Sequence, residues 1–169
     1  MDIKQRMVLV NSFLLSISTK TILKKMDVTM FDINQKYSRK TVAEKFENKI
    51  FENGRLGKWD TTLVSHDDNL VIFMNINVPG KSGHFFYNNY NRSTKEAIWY
   101  GRPGTHSEQP LMQKIILNQA SPFIFARWDN SDDFTFIGRG NYISHENGAV
   151  GFDSNKNEIE TLKINFSCV

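Results

Sequence analysis

The sequence predicts one β-rich α+β domain: an antiparallel sheet curled into a half-open barrel, with flanking helices. Short aromatic or β-branched runs recur after Gly57, and Gly-, Pro-, Asn- or Asp-rich turns separate them. Thirteen Phe, five Tyr and three Trp also favour strands. Strands do not alternate regularly with helices, so a parallel nucleotide-binding sheet is disfavoured. An antiparallel sheet curled into a half-open barrel fits this order better.

The first clear helix is predicted in SRKTVAEKFENKIFENG. Its apolar residues Val42, Phe46 and Ile50 recur every four positions, as on the buried face of a helix. Ser38 is a suitable N-cap, and Gly54 stands where such a helix would end. The pattern therefore predicts a helix from about residue 39 to residue 53.

A second helix is predicted in GTHSEQPLMQKIILNQ. Thr105 and Glu108 have the spacing of a capping box, Pro110 suits the first helical turn, and Asn118 suits the end. The stretch from Lys4 to Leu15 fits a helix only moderately.

The strand predictions come from runs rich in β-branched and aromatic residues. They are LVIFMNINV (70–78), HFFYNNY, residues 97–100, PFIFARW, FTFIGRG, AVGF and IETLKINF. Turn chemistry separates them in VPGKSG, GRPG, DNSDD, HENG and DSNKN. Of these, DNSDD and DSNKN predict hairpins.

The composition argues against several classes of protein, namely disulfide-bonded, metal-binding and membrane-spanning ones. The 169 residues are 40% apolar and 23% charged, which is typical of a globular chain. The single cysteine forms no internal disulfide, and the four histidines lack ligand spacing, so we expect no metal and no cofactor. No apolar run approaches the ~18 residues of a membrane span, so we expect a cytoplasmic protein without a membrane partner.

Charge is unevenly placed along the chain. The net charge is +3, but residues 1–58 hold twelve Lys and Arg against six Asp and Glu. Residues 121–169 hold four Lys and Arg against seven Asp and Glu. A basic half beside an acidic half can orient a protein toward a polyanion, although a generally Lys-rich composition would give the same count.

Catalytic patterns are incomplete. GKSG at residues 80–83 lacks the earlier glycine of a phosphate loop, although its turn could offer Lys81 and amides to an anion. Glu47-Asn48-Lys49, with Asp32 before it, matches the triplet of a magnesium-dependent nuclease, but it falls within the predicted helix. In the alternative segment Glu160–Lys163, two residues separate the glutamate from the lysine, whereas the nuclease triplet has one residue between them. We expect the domain itself not to be an enzyme; a small stand-alone nuclease remains the alternative.

The segment from Lys81 to His106 has the composition of a DNA-binding surface. KSGHFFYNNYNRSTKEAIWYGRPGTH interleaves amides, cations, hydroxyls and aromatic rings. Cations and hydroxyls contact phosphates, while Arg and Asn pair with guanine and adenine edges. The opposing interpretation is that its aromatic residues belong to the core and its Asn residues only solvate a loop.

The motifs WYGRPGTHSEQP and PFIFARWDNSDDFTFIGRG resemble sequence in DNA-binding domains of bacterial restriction systems. The likeness covers roughly residues 97–141. Such domains accompany nuclease or GTPase modules, as in McrB-like subunits of LlaJI-type systems, and several adopt the pseudobarrel of the EcoRII effector domain. The resemblance implies that residues 1–169 form a single DNA-binding domain, a fragment of a larger restriction protein. It also implies the fold of this domain: an antiparallel open pseudobarrel of about seven strands with flanking helices, whose two arms enter the major groove.

These considerations give a set of candidate DNA-binding residues: Arg55, Lys58, Lys81, Ser82, Asn88, Asn89, Tyr90, Asn91, Arg92, Arg102, Thr105, His106 and Arg139. Arg139 either contacts phosphate or pairs with Asp129. The expected partners are double-stranded DNA and an attached or associated nuclease or GTPase module. One variant is that a modified base is flipped into a pocket lined by Tyr87, Tyr90 or Trp99. A protein-interaction module is a further alternative.

Overall fold

The computed structural model of the chain describes residues 30–169. Contact clustering divides the chain after Asp32, and the unit that holds the elements described is Ile33–Val169. The prediction made for Lys4 to Leu15 lies outside the described residues.

The described residues form an open α+β fold dominated by strands, as the sequence predicts. The elements are β1 (Lys36–Tyr37), α1 (Arg39–Glu47), a 3-10 helix (Gly57–Asp60), β2 (Leu63–His66), β3 (Asn69–Asn75), β4 (Asn89–Asn91), β5 (Glu96–Tyr100), α2 (Pro110–Ile116), β6 (Phe123–Arg127), β7 (Phe134–Phe152) and β8 (Glu158–Cys168). The strand order is β2-β3-β6-β7-β8-β5-β4, and β1 pairs with β7. Neither end strand closes onto the other, so the sheet is an unclosed barrel.

The sheet is mixed rather than wholly antiparallel. β3 and β6 pair in parallel, with Phe73 opposite Phe125, while the other pairs in residues 30–169 are antiparallel. The chain between them holds β4, β5 and α2, which supplies the long connection that a parallel pair requires. Both strands are buried along nearly their whole length, as expected for a parallel pair covered on both faces.

One long strand joins the two halves of the sheet. The first part of β7 pairs with β6, and its remainder pairs with β8. Gly138 marks the corner: its φ is +125°, and a Cβ there would lie 2.7 Å from the carbonyl oxygen of Val169. The turn predicted at HENG is wrong, because β7 continues through these residues with a bulge between Glu146 and Ala149. The hairpins at DNSDD and DSNKN are confirmed.

Alternating side chains of β3 and β6 divide the core into two layers. On one face of the sheet, Ile72 and Ile124 belong to a mainly aliphatic cluster that also contains Leu162 and the ring of Trp99. On the opposite face the rings of Phe73 and Phe125 stack with their centroids 5.5 Å apart. This aromatic layer extends to α1, where the ring centroid of Phe46 lies 5.1 Å from that of Phe123 and 5.4 Å from that of Trp59.

The first helix begins where the sequence predicts and ends earlier. Ser38 accepts a hydrogen bond from the backbone N–H of Thr41 at 3.0 Å, which confirms the N-cap. The helix ends at Glu47 because Asn48 takes the left-handed conformation, with φ +49°. Ile50 consequently lies outside the helix and is 77% exposed, so its predicted place in the buried stripe is wrong.

The second helix also starts later than the capping pattern predicts. Gln109 occupies the N-cap without a side-chain hydrogen bond, and Pro110 is the first helical residue. The Thr105–Glu108 capping box does not form, because residues 101–106 are held in turns against β8. Asn118 follows the helix with a φ of +54°, as its predicted role requires. Neither helix of residues 30–169 has the length and apolarity to cross a membrane.

Candidate nucleic-acid interface

A half-open groove of about 660 Å³ lies where the C-terminal ends of β3, β5 and β6 meet the start of α1. Its volume falls in the range of small-molecule sites, roughly 300–1,000 Å³. Five of its lining residues are cationic: Arg39, Lys40, Lys81, Arg102 and Arg127. Three carboxylates and several aromatic rings complete the lining. Lys81 and Arg102 are the predicted cations that the fold brings together here.

A chain of hydrogen bonds links the cationic floor of the groove to its aromatic wall. Arg127 Nε donates to Asn75 Oδ1 at 2.7 Å. Asn88 Nδ2 donates to the Asn75 carbonyl oxygen at 3.0 Å, and Asn88 Oδ1 accepts from the Tyr100 N–H at 2.8 Å. Asn88 is half-buried, and both polar ends of its amide are engaged with the backbone. We therefore assign Asn88 to the framework of the groove rather than to base recognition.

Two arginines form the floor of the groove around one phenylalanine ring. The guanidinium carbons of Arg39 and Arg127 lie 4.8 and 4.5 Å from the ring centroid of Phe134. Arg39 Nη1 donates to the carbonyl oxygens of Trp59 at 2.8 Å and Thr61 at 2.7 Å. Within residues 30–169, neither guanidinium lies within 4.0 Å of a carboxylate.

The surroundings of these arginines disfavour their charge. Burial and, after it, the charge of Arg127 lower the pKa of Arg39 to about 10, while Asp60 opposes the change. Burial also lowers the pKa of Arg127, against the opposing charge of Asp129. Both shifts have the sign expected when a cation leaves water without an anionic partner.

Two of the three carboxylates of the groove are paired with lysines. Asp60 Oδ1 lies 3.1 Å from Lys81 Nζ, and Asp132 Oδ2 lies 2.9 Å from Lys36 Nζ. Lys81, which is predicted to contact phosphate, therefore already has an anionic partner. This ion pair is exposed, and an exposed ion pair is a weak interaction in water. Ser82 is exposed in the adjacent turn, which a hydrogen bond from the Gly83 N–H to the Gly80 carbonyl closes at 2.9 Å.

A second group of candidate residues lies at the far end of the β4–β5 hairpin. Asn91 Oδ1 accepts from the N–H groups of Ser93 and Thr94 at 2.9 and 3.2 Å, which fixes the turn. Arg92 is exposed, and its guanidinium carbon lies 5.2 Å from the ring centroid of Trp128. The stacked guanidinium is thereby positioned while it keeps its charge toward solvent.

Asn89 and Tyr90, which are neighbours in β4, differ in exposure. Asn89 is exposed, and its Oδ1 accepts from the N–H of Tyr90 at 2.9 Å. Tyr90 packs partly against the aliphatic cluster, and burial raises the pKa of its hydroxyl. Of the rings considered for a base-flipping pocket, Trp99 is fully buried, whereas Tyr87 is 55% exposed.

The loop after β5 is fixed through its backbone and presents its side chains outward. The Arg102 carbonyl oxygen accepts from Thr161 Oγ1 at 2.6 Å and from the Thr105 N–H at 3.0 Å. The side chains of Arg102 and His106 are exposed, and Thr105 is half-buried. This rigid backbone holds Arg102 at the rim of the groove.

The second basic loop places its two cations differently. Arg55 is exposed, and within residues 30–169 its side chain makes no hydrogen bond or ion pair. Lys58 Nζ instead lies 3.2 Å from the Ser65 carbonyl oxygen and 2.9 Å from His66 Nδ1. A new partner would therefore have to replace two exposed hydrogen bonds at Lys58 but, within residues 30–169, none at Arg55.

Arg139 lies apart from both groups. Its Nε donates to the Ser121 carbonyl oxygen at 2.9 Å, and its guanidinium carbon lies 3.8 Å from the ring centroid of Phe123. The alternative pairing with Asp129 does not form: no ion pair of Asp129 occurs within residues 30–169, and its Oδ1 accepts from the N–H and hydroxyl of Ser131, both at 2.8 Å. Those two bonds are the largest causes of the lowered Asp129 pKa.

The nuclease triplet has a structural role in this fold. Glu47 Oε1 accepts from Trp59 Nε1 at 2.7 Å, and Glu47 Oε2 lies 2.5 Å from Lys49 Nζ. These bonds lower the pKa of Glu47, with Lys49 as the larger cause. No group of three or more His, Cys, Asp or Glu able to hold a metal ion occurs in residues 30–169.

Sequence reasoning missed the residues that build the groove floor. The patterns predict Arg39 only as a helix residue and Arg127 only as the end of a strand. The signal for Arg127 was its place in FARW, where a cation interrupts an otherwise apolar strand. For Arg39 and Asn75 the sequence holds no comparable signal, because only the tertiary fold brings them together.

Neither a protein-family model nor a curated protein matches this chain. The resemblance to DNA-binding domains of restriction systems therefore remains a prediction from its motifs.

Proposed function

We propose that this chain binds double-stranded DNA as the target-recognition domain of a restriction system, without being an enzyme itself. The observation that carries the proposal is the outward placement of Arg92 and Arg102 at opposite ends of the β4–β5 hairpin. Both side chains are exposed, and within residues 30–169 neither lies within ion-pair distance of a carboxylate. Such cations are suited to phosphate contacts.

The dimensions of the hairpin support this proposal. The five residues of β5 span roughly 17 Å at about 3.3 Å per residue. The major groove of B-DNA is about 12 Å wide, so a duplex lying along the hairpin can meet cations at both ends. Phosphate contacts would come from Arg92, Arg102 and Arg55, and base contacts from the exposed Asn89, Asn91 and His106. A restriction activity would require an attached or associated nuclease or GTPase module.

A salt titration tests the proposal. Duplex affinity is measured by fluorescence anisotropy at several salt concentrations with the full 169-residue chain. Each neutralised phosphate releases counterions, so log K should fall linearly with log salt at about −0.9 per phosphate contact. Affinity that stays constant with salt, or no binding at low salt, would refute the proposal and favour the protein-interaction alternative.

A further inference from the structure

We propose that the groove binds a phosphate group between Arg39 and Arg127. Both arginines line the groove, and both lie within 5 Å of the same Phe134 ring centroid. The two like charges repel each other, and within residues 30–169 no carboxylate pairs with either of them. An anion between them would remove this repulsion and replace the hydration that burial has taken from both groups.

The donors that remain on the two guanidinium groups suit a phosphate. In residues 30–169 only Nη1 of Arg39 donates to the protein, which leaves its Nε and Nη2 groups for a ligand. Arg127 donates through Nε and Nη1, and within the same residues its Nη2 makes no protein hydrogen bond. A phosphate has enough oxygen acceptors to take bonds from both planar groups at once.

The size and the wall of the groove indicate a phosphate ester. A volume of about 660 Å³ exceeds the needs of a bare phosphate ion. The rings of Phe86 and Tyr100 line the same groove, with centroids 6.0 Å apart and planes at 24°. Phe86 is packed in place over Gly151, where a Cβ would come within 2.3 Å of its ring. The ester could be a phosphate of a DNA strand or a free phosphomonoester, and both share the chemistry that the arginines recognise.

The carboxylates of the groove do not occupy this position. Asp60 and Asp132 each pair with a lysine, at 3.1 and 2.9 Å. Asp133, which also lines the groove, has an exposed side chain. The proposal does not require duplex binding, so it goes beyond the proposed function and can succeed or fail separately from it.

Thermal unfolding of the full chain tests the proposal with inorganic phosphate and dAMP as probes. Potassium chloride at the same ionic strength is the reference. A ligand that binds only the folded state raises the Tm. We expect both probes to raise the Tm of the wild-type chain and of Lys114→Gln, which removes an exposed cation on α2. Arg127→Gln should weaken binding roughly tenfold or more, because it removes a charged donor. No rise in the wild-type Tm, or an equal rise in Arg127→Gln, would overturn the proposal.

Arg127→Lys keeps the test decisive if Arg127→Gln does not fold. It retains the charge but loses the planar fork, so we expect binding weaker than wild type and dependent on ionic strength. Binding to Arg127→Lys that equals wild-type binding would contradict a site built from two guanidinium groups.

A parallel titration with a short duplex identifies the source of the phosphate. If Arg127→Gln weakens both duplex and dAMP binding, the proposal is supported with a DNA strand as the source. If it weakens phosphate and dAMP binding but not duplex binding, the proposal is supported with a free phosphomonoester as the source. Arg92→Ala, at an exposed residue outside the lining of the groove, should affect only the duplex arm, so failure of the proposed function is distinguishable from failure of the phosphate site.

Discussion

Asn88 connects the segment before β4 to the end of β3 through the backbone of Asn75, with a 3.0 Å hydrogen bond from its Nδ2 to the Asn75 carbonyl oxygen. Its Oδ1 accepts from the Tyr100 N–H, so one side chain ties three segments together across the open side of the sheet. The side chain of Asn75 is engaged as well, because its Oδ1 accepts a hydrogen bond from Arg127 Nε. Asn88 therefore links the wall of the groove to its floor.

Replacing Asn88 should destabilise the fold. Asn88→Ala leaves the Asn75 carbonyl and the Tyr100 N–H without these partners, and we expect a loss of about 1–3 kcal/mol in the free energy of unfolding. Asn89→Ala is the matched control, because Asn89 is exposed on the same hairpin and should change stability by at most about 0.5 kcal/mol. Urea denaturation measures both. Equal stabilities of the two variants would show that the Asn88 bonds are not significant.

The corner of β7 should tolerate no side chain. Gly138→Ala combines a φ of +125° with a Cβ that would meet the Val169 carbonyl oxygen at 2.7 Å. Gly54→Ala is the control, because Gly54 also has positive φ, at +64°, but has open space around it. We expect the control to cost about 1 kcal/mol and Gly138→Ala to cost clearly more. Thermal unfolding that ranks the two variants the other way would mean that the corner relaxes without penalty.

The cysteine near the end of β8 should be unreactive in the native state. Burial raises the pKa of the Cys168 thiol to about 12, and the side chain is only 2% exposed. The thiolate is the reactive form, so a thiol reagent at about pH 8 should label Cys168 only after denaturation. Because the unfolded thiol ionises near pH 9, this group lowers the stability of the fold as pH rises from about 9 to 12. Fast labelling of the folded chain would place Cys168 at the surface.

The exposed arginines should carry duplex affinity. Arg92→Ala and Arg102→Ala each remove one cation, and the double variant should lower affinity and reduce the salt slope by about 2. Lys114→Ala removes an exposed cation from α2 and should leave the slope unchanged. Anisotropy titrations at low salt compare the variants. An unchanged affinity of the double variant would show that these residues do not form the DNA-binding site.

Local patterns predicted much of the fold. Ser38 caps α1, Pro110 opens α2, and both Asp- and Asn-rich turns form hairpins, since these features depend on a few neighbouring residues. The parallel β3–β6 pair could not be predicted in this way, because it joins segments almost fifty residues apart. The continuous β7 was missed because HENG has turn chemistry that a bulge accommodates within the strand.

The candidate site was predictable only in part. The exposed positions of Asn89, Asn91 and Arg92 agree with the expectation that this polar segment is accessible. The framework role of Asn88 was not predictable, because its sequence neighbours have the same composition as those of Asn89. The sequence also did not predict that Arg39 and Arg127 lie together. Both contact the Phe134 ring, but Arg39 is far from Phe134 in the sequence, so no local pattern connects them.

Selection of bound sequences from a random duplex library, run with and without DNA methylation, tests the central claim most directly. The full chain retains duplexes at low salt, and bound fragments are sequenced over successive rounds. Site-specific recognition predicts an enriched motif, and a motif that is enriched only in the methylated library would indicate a modified base as the target. A chain that retains no duplex, or retains all sequences equally, would contradict the account.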